Sequence, residues 1–256
     1  MMSRVPLPAV TALSVLVVMA AWVGVTRTGL VSDLFLPGPG DLWSGLRELV
    51  EDGYKGRTLT EHVAVSLMRV GVGFLTGALA GTALGLGMGC SRSLDAAAAP
   101  FIEFLRPLPQ LAYLILLIVW LGIGEASKIT MLFLAALPVA AVAARDGVRN
   151  VPAERVRAAR SLGATRWQVF RLVVAPSALP EILTGARLAL GVVYGTLIAS
   201  EIIAGSNGIG WMILDAGRFL RSDYVLAGIL IIGLAGLGLD RLLRLIERRV
   251  VHWAGQ

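Results

Sequence analysis

"ERVRAARSLGATRWQVFRLVVAP", residues Glu154 to Pro176, carries five arginines, Arg155, Arg157, Arg160, Arg166 and Arg171. Beside them stands an apolar set of Leu162, Trp167, Val169, Phe170, Val173 and Val174. The stretch lies between two apolar windows, residues 129–144 and 182–204, with few charges. Windows of that kind read as transmembrane helices. A basic segment joining two of them bears on orientation as well as fold, because Arg and Lys are retained on the cytoplasmic side.

Working outward, the chain has 256 residues, 56% of them hydrophobic, and a mean hydropathy of +0.77. Soluble domains are usually less apolar. Six spans are predicted, at residues 8–25, 62–90, 100–121, 129–144, 182–204 and 224–243. A polar stretch, 26–61, follows the first span. Its Pro37, Gly38, Pro39 and Gly40 break any helix, and Asp41 suits the cap of the next one. The opening apolar run, 5–25, is too long for a signal-peptide core and lacks a clear small-residue cleavage site, so it reads as an anchor.

Charge then sets the topology. The connection between spans 4 and 5 holds Arg145, Arg149 and the five arginines above; the tail holds Arg241, Arg244, Arg248 and Arg249. Arg4 precedes span 1 and Arg92 lies between spans 2 and 3. With six spans all four segments share one side, and the positive-inside rule makes it cytoplasmic. The opposite loops carry mixed charge: Glu48, Glu51, Asp52, Lys55 and Arg57, then Glu125 and Lys128, then Asp215, Arg218, Arg221 and Asp223. The expected architecture is therefore an all-α integral membrane protein. It has six transmembrane helices, both termini cytoplasmic, and a cytoplasmic projection within residues 145–181. The whole chain, 1–256, reads as one membrane domain.

Several chemistries are excluded. The net charge of +6 reports arginines held on one side of a bilayer, not nucleic-acid binding. A single cysteine, Cys90, allows no intrachain disulfide and no cysteine cluster, and His62 and His252 are far apart, so no metal site is expected. Only two lysines exist, Lys55 after Tyr54 and Lys128 after Ser127, so no P-loop can form. No hydrolase or metalloprotease motif occurs. The chain is expected to have no catalytic residues and to bind no cofactor.

Two features inside the spans stand out. Gly73, Gly77, Gly81, Gly85 and Gly89 recur every four residues and form one helical stripe. Such a stripe lets a second backbone approach closely. It serves either sliding during a conformational cycle or ordinary tight contact, and in both cases it should face protein. The intramembrane ionisable residues are Arg69, Glu103, Arg106, Arg187, Glu201 and Asp240. All lie within about two turns of a span end, where snorkelling or pairing accounts for them. Glu103 and Arg106 are spaced to pair on one helix face. Glu201 is the residue with two readings, contact with a translocation path or an interfacial structural role.

The opening stretch divides at "LGAT". Pro152 and Glu154 suit a first helix ending near Leu162, with Gly163 as its stop. Thr165 caps a second helix ending near Val174, with Pro176 as a breaker. A basic amphipathic segment on anionic lipid explains the arginines and aromatics. It does not explain a glycine-centred break flanked by Ala158, Ala159 and Ala164, which suits entry into a groove on another protein.

"RAARSLGATRWQVFRLVVAPSALPEILTGARLAL" (157–190) resembles the cytoplasmic loop of ABC importer permeases. The pattern there is Glu-Ala-Ala, three residues, Gly, then a proline thirteen positions later. Ala158, Ala159, Gly163 and Pro176 match it; Arg157 stands at the glutamate position, with Glu154 one turn earlier. "FLPGPGDLW" (35–43), "SLMRVGVGFLTGALAGTALGLGMG" (66–89), "PFIEFLRPLPQLAYLILLIVWLGIGEASKI" (100–129) and "GLDRLLRLIERRVVHW" (238–253) are similar to the nitrate, taurine and alkanesulfonate branch. The resemblance implies a homodimeric permease in the cytoplasmic (inner) membrane, working by alternating access with two cytoplasmic ABC ATPase subunits that use ATP and Mg. An extracytoplasmic solute-binding protein delivers solute, and membrane lipid surrounds the chain. It also implies coupling residues Glu154, Arg157, Ala158, Ala159, Arg160, Leu162, Gly163, Ala164 and Pro176.

The outer segment "GSNGIGWMILDAGRFLRSD" (205–223) is expected to face the binding protein. Ile209, Trp211 and Met212 either line a gate or belong to an interfacial turn anchored by Trp211. Arg106 and Arg187 are candidates for attracting an anion to the path. The expected solute is a small anion, taurine or an alkanesulfonate first, with nitrate, bicarbonate or another small solute as alternatives. A stand-alone secondary carrier requires a mid-membrane coupling residue. A membrane-embedded enzyme requires a His, Cys or acidic cluster, and the sequence has none.

Overall fold

The computed structural model describes residues 7–251, so Arg4 and His252 lie outside the described residues. Every described element is helical. They are α1 (Leu7–Arg27), α2 (Pro39–Glu51), α3 (Leu59–Cys90), α4 (Arg92–Leu105), α5 (Gln110–Leu121) and α6 (Glu125–Arg149). Next come α7 (Ala153–Ser161), α8 (Arg166–Val169), a π-helical turn (Phe170–Val174), α9 (Ala175–Ala204), α10 (Ile209–Arg218) and α11 (Ser222–Val250). Among the described residues five helices are long and apolar enough to cross a membrane, or six if the bent pair α4–α5 is one span.

That pair corrects the predicted third span. Residues 100–121 do not form one helix; α4 and α5 meet at a bend of 101°. Pro107 and Pro109 explain it, since a proline lacks the N–H and its ring crowds the preceding turn. The fifth span also differs. Pro176 does not break the helix. The π turn lets the Ala175 N–H donate to the Phe170 carbonyl, and this wider register carries the helix through the proline. The helical run consequently spans Arg166–Ala204.

The chain divides into two compact units. The first comprises Met1–His62 and Met212–Ile232. Two of the three mixed-charge loops, those of Glu48–Arg57 and Asp215–Asp223, meet here. Arg221 donates to Glu48 at 2.8 Å and to Asp223 at 2.9 Å, and its guanidinium lies 3.7 Å over the Tyr224 ring. Tyr54 donates its hydroxyl to Asp215 at 2.9 Å. The hydrogen bond from Arg221 holds the Glu48 carboxyl below the usual carboxylate range. Burial, then the bond to Asp215, pushes the Tyr54 hydroxyl well above its ordinary value.

The second unit comprises Val63–Trp211 and Gly233–Gln256, with α6 at its centre. The glycine stripe of α3 lies against α6. A Cβ added at Gly77 would sit 2.8 Å from Ala136 Cβ, at Gly81 3.0 Å from Ala140 Cβ, and at Gly85 2.8 Å from Ala144 Cβ. Two rows of small residues, each spaced by four, thus face one another. On its other side α6 meets α9, and Val70, Phe74, Leu132, Ala136, Ala140, Ala189, Leu190 and Val193 share one buried cluster. Helices in lipid gain little from the hydrophobic effect, so close contact of small residues holds them together.

Gly81→Leu is expected to abolish a monodisperse detergent-solubilised protein. Overpacking alone costs about 1–3 kcal/mol, and here backbone as well as side chain would be displaced. Gly195→Leu is the comparison, since nothing lies within 4 Å of a Cβ there. Size-exclusion profiles of both variants, expressed side by side, check this; equal yields would remove the tight α3–α6 contact from the account.

Candidate functional site

At the Arg149 end of α6 the chain builds a compact elbow. α7 closes in a Schellman arrangement: the Ala164 N–H donates to Ala159 O at 3.1 Å and the Gly163 N–H to Arg160 O at 2.9 Å. Gly163 sits at φ +82°, the left-handed region that glycine enters without a Cβ penalty. A capping box then restarts the helix. Thr165 Oγ1 accepts from the Gln168 N–H at 3.3 Å, and the Thr165 N–H donates to Gln168 Oε1 at 2.8 Å.

The elbow has little burial of its own, and α7 has no fully buried residue. Leu162, at the turn, is 88% exposed; Trp167 is 65% exposed and stacks on Phe170 with ring centroids 5.7 Å apart. Beneath it, a cavity of about 810 Å³ separates the end of α3 from the elbow, lined by apolar residues with Arg160 and Arg166. Leu162 and Trp167 therefore leave apolar surface open on a hydrogen-bonded turn.

At the opposite end of α6, roughly 37 Å away for 25 residues at 1.5 Å each, lies a buried charge network. Arg69 of α3 is 0% exposed, as is Glu201 of α9. Arg69 Nη1 donates to Glu201 Oε1 at 2.7 Å, and Arg69 Nε to Glu125 Oε2 at 2.6 Å. It also donates to the Asn207 side-chain and backbone oxygens. Glu201 further accepts from Ser66 Oγ at 2.7 Å and from the Gly210 N–H at 2.8 Å, and Ser66 Oγ accepts from the Ile209 N–H at 3.0 Å. Lys128 reaches Glu125 at 3.3 Å. Two cations and two carboxylates balance, and every oxygen of Glu201 has a donor. The network ties α3, the start of α6, the end of α9 and the start of α10 into one knot. A Cβ at Gly208 would collide with the Glu201 carboxylate.

Between the two ends, the bend after α4, the middle of α6 and α9 enclose a third feature. A cavity of about 240 Å³ is lined by Arg106, Val139, Val142, Ala143, Glu181, Thr184, Gly185 and Leu188.

Comparison with known proteins now bears on these sites. The family model of the binding-protein-dependent transport system inner membrane component matches residues 73–252. The chain belongs to this family. The taurine transport system permease protein TauC of Escherichia coli (strain K12) is 43% identical over 241 residues, covering 94% of this chain and 88% of that protein. The putative aliphatic sulfonates transport permease protein SsuC of Bacillus subtilis (strain 168) is 35% identical, covering 93% and 84%. The nitrate import permease protein NrtB of Leptolyngbya laminosa is 33% identical, covering 79% and 74%. The chain lies in the branch that contains these permeases. In fold it resembles a chain of the MetNI methionine ABC transporter, with a TM-score of 0.58 at 23% identity over 72% of this chain and 95% of that one. A chain of an amino acid ABC transporter gives 0.59 at 24% identity, covering 74% and 92%.

Within this permease the residues singled out from sequence sort by position. Glu154, Arg157, Ala158, Arg160, Leu162 and Gly163 are exposed on the elbow, while Ala159 and Ala164 are half-buried at its turn. Pro176 lies in the helical run beyond it. Glu103 bonds to Arg145 at 3.4 Å, not to Arg106, because α4 ends at Leu105 and the bend carries Arg106 away. Arg187 is held by Asp240 at 3.3 Å and Glu247 at 3.2 Å, so its charge is already neutralised. Ile209 and Met212 are buried and Trp211 is half-buried, so neither Ile209 nor Met212 borders an opening in this conformation. Sequence reasoning missed the partnership of Arg69 with Glu201 and Glu125.

Proposed function

We propose that this permease is the transmembrane subunit of an ATP-driven importer in the cytoplasmic membrane, with taurine or a related alkanesulfonate as solute. Both termini and the elbow face the cytoplasm. The elbow, α7 with α8, is the coupling element: it docks on an ABC ATPase, which binds the ATP and Mg. Two permease copies and two ATPases form the transporter, and a solute-binding protein delivers solute from outside. ATP-driven closure of the ATPases moves the elbows, and each rigid α6 transmits the movement toward its charge-knotted outer end, giving alternating access. Identity to TauC supports the solute.

The observation that carries this reading is the elbow itself, a turn locked by a left-handed glycine and a capping box that holds Leu162 in the open. Flexible loops do not transmit force; a hydrogen-bonded turn does. Cysteine cross-linking tests it. In a Cys90→Ser background, Leu162→Cys is expected to cross-link to the ATPase, and Ile123→Cys, exposed just before the opposite end of α6, is not. A cross-link absent from both positions in an assembled transporter contradicts the docking role.

Arg157 carries its own test. It is exposed on α7 and stands where the family pattern has a glutamate. Arg157→Ala is expected to retain most solute uptake, with at most a few-fold loss, because exposed charges contribute little to assembly. Loss of the ATPase from the purified complex would instead give Arg157 a specific contact.

A further inference from the structure

The cavity beneath the elbow combines an apolar floor with two cations that nothing neutralises. Leu86 of α3, Val148 of α6, Val156 of α7, and Phe170 and Val174 of the π turn line it, together with Arg160 and Arg166. Among the described residues no carboxylate lines it. Arg145 and Arg149, at the end of α6, both lie against Asp95, at 3.8 and 2.6 Å. Arg160 and Arg166 have no ion-pair partner among the described residues. Trp167 also borders the cavity, stacked on Phe170, and tryptophan is enriched where a membrane meets water.

The cavity sits where two spans end. α3 closes at Cys90 and α6 at Arg149, and Gly89, Cys90 and Val148 belong to the wall. From there an open apolar stripe runs back along α3. Leu75, Leu79, Ala83, Leu86 and Cys90 follow one another at helical spacings of four, four, three and four, so they share one face. Leu75 is 56% and Leu79 is 69% exposed. Cys90 and Leu79 are roughly 16 Å apart along the axis at 1.5 Å per residue, about half of a ~30 Å hydrocarbon core. The stripe is thus one leaflet deep. The cavity volume, about 810 Å³, falls within the roughly 300–1,000 Å³ of small-molecule pockets. A free anion would use the two arginines and leave the apolar floor bare. A neutral lipid would cover the floor and leave the arginines unpaired. Basic pockets between helices on the cytoplasmic side suit an anionic headgroup.

We propose that this cavity holds one anionic phospholipid, its phosphate on Arg160 and Arg166 and an acyl chain along the α3 stripe. A guanidinium presents a planar fork matched to two phosphate oxygens. The lipid fills the space between α3 and the elbow and braces the elbow from beneath, while Leu162 and Gly163 at its tip stay free for the ATPase. Arg160 then serves the lipid rather than the ATPase. The inference rests on the reading above that the elbow faces the cytoplasm, and it adds a lipid to that coupling element.

Native mass spectrometry of the purified permease–ATPase complex in mild detergent tests this. Phosphatidylglycerol and phosphatidylcholine with the same acyl chains are the probes, equal in tails and different in net charge. Wild type is expected to retain phosphatidylglycerol about tenfold more tightly than phosphatidylcholine, since each arginine at an anionic headgroup contributes several-fold. The double variant Arg160→Gln, Arg166→Gln should bring the two lipids to parity. Ala83→Trp, at an exposed position on the cavity wall, should lose both. Arg171→Gln removes an exposed charge of the same segment that does not line the cavity, so it should keep the preference. Equal retention of both lipids by wild type, or a preference unchanged in the double variant, overturns the inference. So does Arg171→Gln matching the double variant, which would make the attraction a property of the whole basic surface. Inorganic phosphate should leave the lipid in place; complete displacement would reduce the site to an anion site and overturn the lipid. The same spectra separate this inference from the coupling reading. A preference seen in the permease alone and lost once the ATPase is bound gives the arginines to the ATPase, which sinks the lipid site and leaves the coupling reading. A preference intact in a chain that never retains an ATPase sustains the lipid site and sinks the coupling reading.

Discussion

Gly163→Arg inserts, folds in its transmembrane part and fails to import. The expected loss of ATP-driven solute uptake is at least tenfold, with normal amounts of the protein in the membrane. Two effects combine at this position. At φ +82° a side chain other than glycine costs about 1–2 kcal/mol, which loosens the turn made by Ala159, Arg160 and Ala164. Nothing lies within 4 Å of an added Cβ, so the arginine projects outward into the docking surface. Gly163→Asn separates the effects, since asparagine tolerates the left-handed region. It should keep several-fold more uptake than Gly163→Arg. Uptake by Gly163→Arg at the wild-type rate would remove the elbow from the coupling path.

The second large effect lies at the other end of α6. Arg69→Met should lower stability by about 3–5 kcal/mol, because it strands the buried Glu201 carboxylate, and Glu201→Leu should cost less, because Arg69 keeps Glu125 and Asn207. Glu201 retains Ser66 and the Gly210 N–H in Arg69→Met, but it loses the cation that offsets its desolvation. The double variant should cost less than the sum of the two, the mark of a directly coupled pair. Thermal unfolding in detergent, followed by size exclusion, gives the comparison. Additive losses would show that the two side chains act independently despite their 2.7 Å contact.

Some of this was legible in the sequence, and the rest was hidden for physical reasons. Helix existence followed from charge-free windows, and the left-handed stop followed from a lone glycine between a helix and a threonine cap. The glycine stripe announced a close neighbour, although periodicity alone could not name α6. Arg69 and Glu201 stand 132 residues apart, and no local pattern reports a pair that only tertiary contact creates. The α4–α5 bend was readable from "LRPLP", where two prolines within five residues outweigh the apolar run. Pro176 misled in the opposite direction. A proline reads as a breaker in an α-helical register, and the π turn at Phe170–Val174 changes that register.

One measurement tests the central claim most directly. The tagged chain, purified from its native cells in mild detergent and reconstituted in vesicles with whatever accompanies it, is assayed for radiolabelled taurine uptake with and without ATP. The account predicts a co-purifying P-loop subunit and uptake that requires ATP hydrolysis and the binding protein. Uptake by the chain alone, independent of ATP, would contradict it.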